Sequence, residues 1–503
     1  MRSQRDNMPV GVDGAGGLPR TAGPAGRGKA RRGVAAVAAA LLMATGSVTV
    51  TAQPAAAAAP NYEGDPTQYW NSTLVQVFRN LKGRDAAPGR LARAAAMMNA
   101  AIFDAETMYH DKWKVRKYRP YLQAGSYFSF VETPDEEERV IGRTAYNILL
   151  DLFGANKLMD SPDQTDYLDQ RFKARFGTEP TADDYLDIQV VSSVVTRMRN
   201  DRAGDGSDDS TVYVLDGQPG AWRPTGGPGS SCASAADAVA PRWGEVKPFA
   251  ITSGSVFRPP TPETYSSYAE LLNSPAYQQQ VAEVRRLGGA ASTAATRNER
   301  TTAQTAAAWF WANDLDGTYK PPGQLIEHTR LVAKQRGITS KYENARLFTL
   351  VSLAMADAAI AEWDVKYRTP IDLWRPESAI RDGGLDPNWR PLSAGRDGVS
   401  FSPCFPAWAS GHAAFAGAWA GVMKRFFGTD NVPVQLTSED PHAPVRTKNF
   451  TSFSQAAKEN ADSRVYLGVH YPWDATDGLE LGEKIASYVY ANKLTCISTC
   501  PNP

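Results

Sequence analysis

The sequence predicts an all-α fold, a helical bundle with long irregular loops. Three observations lead there. Apolar residues recur at helical spacing along most of the chain. Alternating β patterns are few and short. A composition of 42% hydrophobic and 10% aromatic residues supplies a large packed core.

The first strong helix candidate, Arg90–His110, is rich in Ala and Met, and Glu137–Ala155 and Ala182–Arg202 follow in the same pattern. Residues 201–260 break it. They are dense in Gly, Pro, Ser and Asp with short Val, Tyr and Trp runs, so they read as a long excursion with room for one small hairpin. Helical spacing returns at Pro262–Leu272, Glu299–Asn313 and Gln324–Arg336. The longest candidate, Tyr342–Lys366, has few polar positions, which predicts burial nearly all round, and Pro370 stops it. A second loop, Pro376–Pro406, leads to Gly411–Phe427, closed by Gly428, and a last helix spans Asp474–Leu494. The expected organisation is a leader over 1–60, an N-terminal helical region over 61–298 and a C-terminal helical region over 299–503. The latter two read as one continuous fold.

The 54 basic and 54 acidic residues balance to zero, without the basic excess of a nucleic-acid binder. The zero hides an asymmetry. Residues 1–60 hold seven basic residues against Asp6 and Asp13, a net +5, so the other 443 carry −5. Arg31 and Arg32 precede an uncharged, Ala-rich stretch over 33–60 that ends in small residues. This predicts a Sec or twin-arginine export signal and an exported protein with no stable membrane insertion. The plain alternative is an uncleaved anchor. Four cysteines, Cys232, Cys404, Cys496 and Cys500, suit one or two disulfides in an exported chain, and Cys496 with Cys500 could close a small tail loop.

Three clusters can do chemistry. In Phe405-Pro406-Ala407-Trp408-Ala409-Ser410-Gly411-His412, Ser410 is a natural N-cap and the helix start offers unpaired N–H groups to an anion. Gly411 permits close backbone approach and His412 is placed as an acid/base. The bland reading is a capped helix with a surface histidine. In Asp462–Asp474, Asp474 stands four residues after His470 and can orient its ring, while Arg464 is six residues upstream, close to two helical turns. The bland reading is a core histidine beside a helix-start aspartate. In Trp363–Pro376, Lys366, Arg368 and Arg375 sit among aromatics, or Glu362 and Lys366 simply form an i,i+4 pair at the end of a core helix. Together the clusters suit a tetrahedral oxyanion such as phosphate or vanadate. No HExxH, Walker, GxSxG or dinucleotide motif competes.

The order of these motifs resembles the vanadium-dependent haloperoxidase and type-2 phosphatidic acid phosphatase superfamily, over roughly Glu299 to Leu494. The stretch from Phe310 to Asp314, followed by Pro321-Pro322-Gly323, is similar to the bacterial chloroperoxidase branch. The resemblance implies a helical-bundle haloperoxidase-like fold, vanadate as cofactor, and hydrogen peroxide, chloride or bromide and a small organic compound as substrates. It implies His470 as the metal ligand, oriented by Asp474, and His412 as acid/base. Lys366, Arg375, Arg464, Ser410 and Gly411 would hold the oxyanion, with Lys366 also assisting catalysis. Trp363 and Phe405 would line the halide site, and Asp314 would pair with Arg464.

Eight residues separate Lys366 from Arg375 where six are usual in the family, and Arg368 stands at the usual spacing. The offset from Trp363 favours Lys366. Ala409 replaces a frequent proline. Two rival functions remain open at this point: an exported acid phosphatase with a histidine nucleophile, and a cofactor-free homologue that catalyses a rearrangement or only binds. A homodimer is compatible with the size of the chain.

Overall fold

The computed structural model describes residues 64–498 apart from 113–115, 123–132, 179–188, 190, 228–229, 261 and 263. The expected leader over 1–60 and Cys500 lie outside the described residues. Among the described residues, fourteen α-helices carry the fold. In the N-terminal half they are α1 (Pro66–Asn80), α2 (Pro88–Lys112), α3 (Pro134–Phe153), α4 (Thr165–Phe176), α5 (Thr196–Arg202), α6 (Tyr268–Asn273) and α7 (Pro275–Gly288). In the C-terminal half they are α8 (Thr302–Ala312), α9 (Lys320–Gln335), α10 (Lys341–Arg368), α11 (Pro376–Arg381), α12 (Gly411–Phe427), α13 (Phe453–Tyr466) and α14 (Pro472–Asn492). The all-α expectation holds, and the described strands form one hairpin, β1 (Val434–Thr437) paired antiparallel with β2 (Thr447–Phe450).

Helix α10 organises the core. Ser340 caps it by accepting a hydrogen bond from Glu343 N, and its face-independent apolar sequence is satisfied because α2, α12 and α14 all pack against it. It is long and apolar enough to cross a membrane, yet its apolar stretch is wholly buried in the protein. Helices α12 and α14 lie unusually close. A Cβ on Gly478 would stand 2.7 Å from Ser410 O, and one on Gly417 or Gly482 would clash with the carbonyl oxygens of Leu479 or Ala414. That contact brings the first turns of both helices to one place.

The excursion over 201–260 holds 3₁₀ turns among its described residues, and not the small hairpin allowed for by the sequence. Gly and Pro there favour turns over a two-strand ladder. It folds onto the C-terminal end of α10: Arg258 Nη2 donates to Asp364 Oδ1 at 3.1 Å, and Cys232 is bonded to Cys404. Helices α1, α4, α7, α11 and α13 were not expected. Pro66, Pro275 and Pro376 open three of these, where a missing N–H costs nothing, and Ser452 caps α13. Helix α6 begins six residues later than expected, at Tyr268, behind its Ser267 cap.

Candidate functional site

The site is built on the start of α12. Ser410 is its N-cap, accepting a hydrogen bond from Ala413 N at 3.4 Å, while Ser410 N donates to Asp474 O at 3.0 Å. The cap thereby locks the start of α12 to that of α14. Gly411 and His412 line a small cavity together with Asp314, Trp363, Phe405, Arg464 and His470. The first turn of a helix presents N–H groups without intrahelical partners, and its dipole favours an anion.

Two guanidinium groups are buried beside this turn. Arg375, the N-cap residue of α11, donates through Nε to Phe405 O and through Nη1 to Val469 O, both at 2.7 Å. Its Nη1 also stands 3.2 Å from His470 Nε2. Burial lowers its pKa to about 10. Arg464 sits in the last turn of α13, where Nη2 donates to Asp314 Oδ2 at 3.0 Å, and burial again lowers its pKa. The idea that Arg464 and His470 share a helical face is not correct. Helix α13 ends at Tyr466, and Gly468 turns the chain at a φ of 76° before His470. The two side chains meet across this break, not along a helix.

His470 Nδ1 lies 2.9 Å from Asp474 Oδ2, which also accepts from Tyr471 N at 3.0 Å. With a carboxylate as partner, the ring proton is assigned to Nδ1, leaving Nε2 with its lone pair. Burial, reinforced by Arg375, Lys366 and Arg464, holds His470 well below the usual histidine range and keeps it neutral. Burial also pushes Asp474 up to about 7. His412 Nε2 is 3.1 Å from Ala312 O and 3.9 Å from Asp314 Oδ1, so Asp314 stands between His412 and Arg464. Burial, then Arg464, brings His412 down to about 4, so it is a proton acceptor at neutral pH.

Lys366 lies inside the site and Arg368 does not. Arg368 is 42% exposed and pairs with Glu245 and Asp364 on the surface. The Lys366 ammonium donates to Pro406 O at 2.8 Å, to Ala407 O at 3.1 Å and to Ala409 O, and stands 2.9 Å from Glu362 Oε1. Three carbonyls match the three N–H bonds of an ammonium. Lys366 therefore fixes the 406–409 backbone that leads into Ser410 and acts on the cavity chiefly through its charge. Sequence reasoning gave Glu362 only an i,i+4 pairing with Lys366 at the end of a core helix, and no part in the site. It is fully buried, and its carboxylate oxygens lie 3.0 and 3.2 Å from where a Cβ on Gly411 would be. Burial raises Glu362 to about 7 and lowers Lys366 to about 8. A lone Glu in the apolar run before Lys366 was the signal available. Trp363 and Phe405 pack with ring centroids 5.1 Å apart, with Lys366 Nζ 5.0 Å from the Phe405 ring. A larger cleft, about 440 Å³, lies elsewhere along α2 and includes none of these residues.

The fit to an oxyanion rests on unpaired atoms. Arg375 Nη2, Arg464 Nε and Arg464 Nη1 are buried without hydrogen-bond partners. An unsatisfied buried donor costs about 1–3 kcal/mol, so three charged ones beside a helix start mark an anion site. Phosphate or vanadate fits this donor set, and His470 Nε2, which accepts from Arg375 Nη1 at 3.2 Å, would be the atom to hold the group. Fold and site thus define a helical bundle with a buried cationic pocket whose donors suit a tetrahedral oxyanion.

Comparison with known proteins is consistent with this. Residues 346–499 match the family model described as the VCPO second helical-bundle domain. A vanadium chloroperoxidase of Curvularia inaequalis is 34% identical over 241 residues, 38% of this chain and 39% of that protein. The match thus spans about two fifths of the curated relative's length. The crystal structure of a bacterial vanadium-dependent iodoperoxidase superposes with a TM-score of 0.65 at 22% identity, covering 86% of this chain and 97% of that one. A holo-type bacterial vanadium-dependent chloroperoxidase gives 0.62 at 17% identity, covering 85% and 97%. The chain shares the helical fold of these solved haloperoxidase structures, and its C-terminal part resembles the vanadium chloroperoxidase over the region that carries the motifs.

Proposed function

We propose that the protein is a vanadate-dependent haloperoxidase that uses hydrogen peroxide to oxidise a halide, chloride or bromide, and passes it to an electron-rich organic compound. The observation that carries this reading is the set of three unpaired guanidinium N–H groups, two on Arg464, which lines the cavity with His470, Trp363 and Phe405, and one on Arg375, whose Nη1 stands 3.2 Å from His470 Nε2. Bound vanadate would supply Lewis-acid activation of peroxide without changing its own oxidation state. The net reaction takes hydrogen peroxide, halide and one proton to hypohalous acid and water, with the halide losing two electrons.

The chain's residues have distinct tasks in it. Arg375 and Arg464 bind and neutralise the oxyanion. Asp474 keeps the proton on His470 Nδ1, so that Nε2 remains the ligating atom. His412, neutral and beside Asp314, accepts and returns a proton during turnover. The two aromatic rings keep the halide side apolar and exclude water, which strengthens the electrostatic attraction between the cations and the oxyanion. A chloroperoxidase among the relatives and an iodoperoxidase among the structural neighbours make a panel of chloride, bromide and iodide the proper test.

Apo-protein reconstituted with orthovanadate should gain halide-dependent peroxidase activity on monochlorodimedone, and phosphate should compete. No activity with any of the three halides would refute the proposal. Turnover of a phosphomonoester above any peroxidase rate would favour the phosphatase reading, since the same donors accept phosphate. Absence of vanadate uptake would favour the cofactor-free reading. We also propose that the protein is exported, a reading supported by the leader-like composition of 1–60 and by the Cys232–Cys404 disulfide.

A further inference from the structure

We infer that Glu106, His110 and Glu137 form a binding site for a divalent transition-metal ion, separate from the oxyanion site. None of the three lines the cavity at the start of α12. Glu106 and His110 stand four residues apart on α2 and so share one face of it, while Glu137 lies in the first turns of α3, which packs against α2. One ligand atom from each residue lies within 4.8 Å of the others. Three ligands held about 2.0–2.2 Å from one tetrahedral ion stand about 3.4 Å apart, so closure needs up to about 1.4 Å of shortening in the longest pair, within reach of side-chain rotation.

The independent pointer to a ligand is Glu106. It is completely buried, both its carboxylate oxygens lack hydrogen-bond partners, and Oε2 is turned to His110 Nε2 at 3.8 Å. A charge in such a place is stable only if it is paired. The neighbouring cation bonds elsewhere: Lys341 Nζ lies 3.4 Å from Glu137 Oε2 and 3.5 Å from Glu138 Oε1, and acts on Glu106 only as a longer-range charge. Tyr342, at the start of α10, stacks on the His110 ring with centroids 4.2 Å apart and fixes its orientation. His110 is 23% exposed, which gives an ion a way in.

One imidazole and two carboxylates suit Zn²⁺ or Mn²⁺ better than Ca²⁺, which needs more oxygen ligands. Three protein ligands leave positions open to water. A bound ion would bridge α2 and α3 next to the first turn of α10.

The test uses the full chain without a histidine tag, stripped with chelator and titrated calorimetrically with Zn²⁺ and, separately, Mn²⁺, with the melting temperature recorded alongside. One equivalent should bind and raise the melting temperature. Glu106→Gln and His110→Ala should each weaken binding at least about tenfold and remove the thermal shift. Glu106→Gln keeps the side-chain shape and removes the carboxylate ligand, so its folded state is expected to survive even if His110→Ala does not. Failure to bind either ion, or equal binding by the wild type and Glu106→Gln, would overturn the proposal. Neither outcome depends on vanadate or peroxidase activity.

Discussion

Replacing Arg464 by glutamine removes two of the three unpaired guanidinium N–H groups in the site. A hydrogen bond to a charged group is worth about 1.5–3 kcal/mol net, so the two together are worth about 3–6 kcal/mol towards an oxyanion. The variant also leaves Asp314 without its guanidinium partner. At 27% side-chain exposure water offsets part of that loss, but a free carboxylate near the anion adds repulsion. Taking the lower end, the dissociation constant for orthovanadate should rise about a hundredfold or more. Adding Asp314→Asn should recover part of the loss, because it removes the carboxylate left behind; the two substitutions are coupled through one ion pair. Calorimetric titration with orthovanadate, and with phosphate as competitor, measures this. A change under about threefold in Arg464→Gln would mean that these N–H groups do not face the anion, and would refute the reading of the unpaired donors.

Glu362→Gln tests the buried acid beneath Gly411. With a folded pKa of about 7 against 4.5, wild-type Glu362 keeps its proton while the unfolded chain loses it, so stability falls as pH rises from 4.5 to about 7. The glutamine variant lacks that loss and should gain on the wild type by up to about 3 kcal/mol between about pH 5 and pH 7 in denaturant unfolding; an unchanged difference would count against a buried acid there. Asp474→Ala removes the acceptor of the His470 Nδ1 proton. The proton should move to Nε2 and vanadate affinity should fall about 10–100-fold, whereas unchanged affinity would show that the pair does not set the tautomer. His412→Ala should lower the halide-oxidation rate by about 10²–10⁴-fold while vanadate affinity changes little; equal loss in both would make His412 a binding residue and not a proton carrier.

The sequence carried much of this because the functional residues lie close together in three short segments. Ser410, Gly411 and His412 could be placed on a helix start from local capping rules alone, and the break after Phe427 from Gly428. The Tyr342–Lys366 burial was legible because the helix is apolar on every side, which only a core position satisfies. Helix α13 was not legible. Its apolar residues are outnumbered by polar ones, and its stability comes from contact with α8, α12 and α14, which no local pattern reports. Missing its end hid the true relation of Arg464 to His470. Lys366 was placed in the site but not its carbonyl partners, because backbone positions 406–409 come close to it only in the folded chain. Glu362 was read only as the i,i+4 partner of Lys366, since spacing records neighbours along a helix but not that the carboxylate lies beneath Gly411. The Glu106–His110–Glu137 cluster joins two helices through a tertiary contact, and Glu137 had no sequence signal linking it to α2.

The account turns on a single anion held by His470, Arg375 and Arg464. The most direct measurement is a crystal of the protein soaked in orthovanadate, with diffraction data collected at the vanadium absorption edge. One anomalous peak is expected within bonding reach of His470 Nε2, with Arg375 Nη2 and Arg464 Nη1 turned to its oxygens. A peak elsewhere, or none at His470 under soaking that saturates calorimetric binding, would contradict the account.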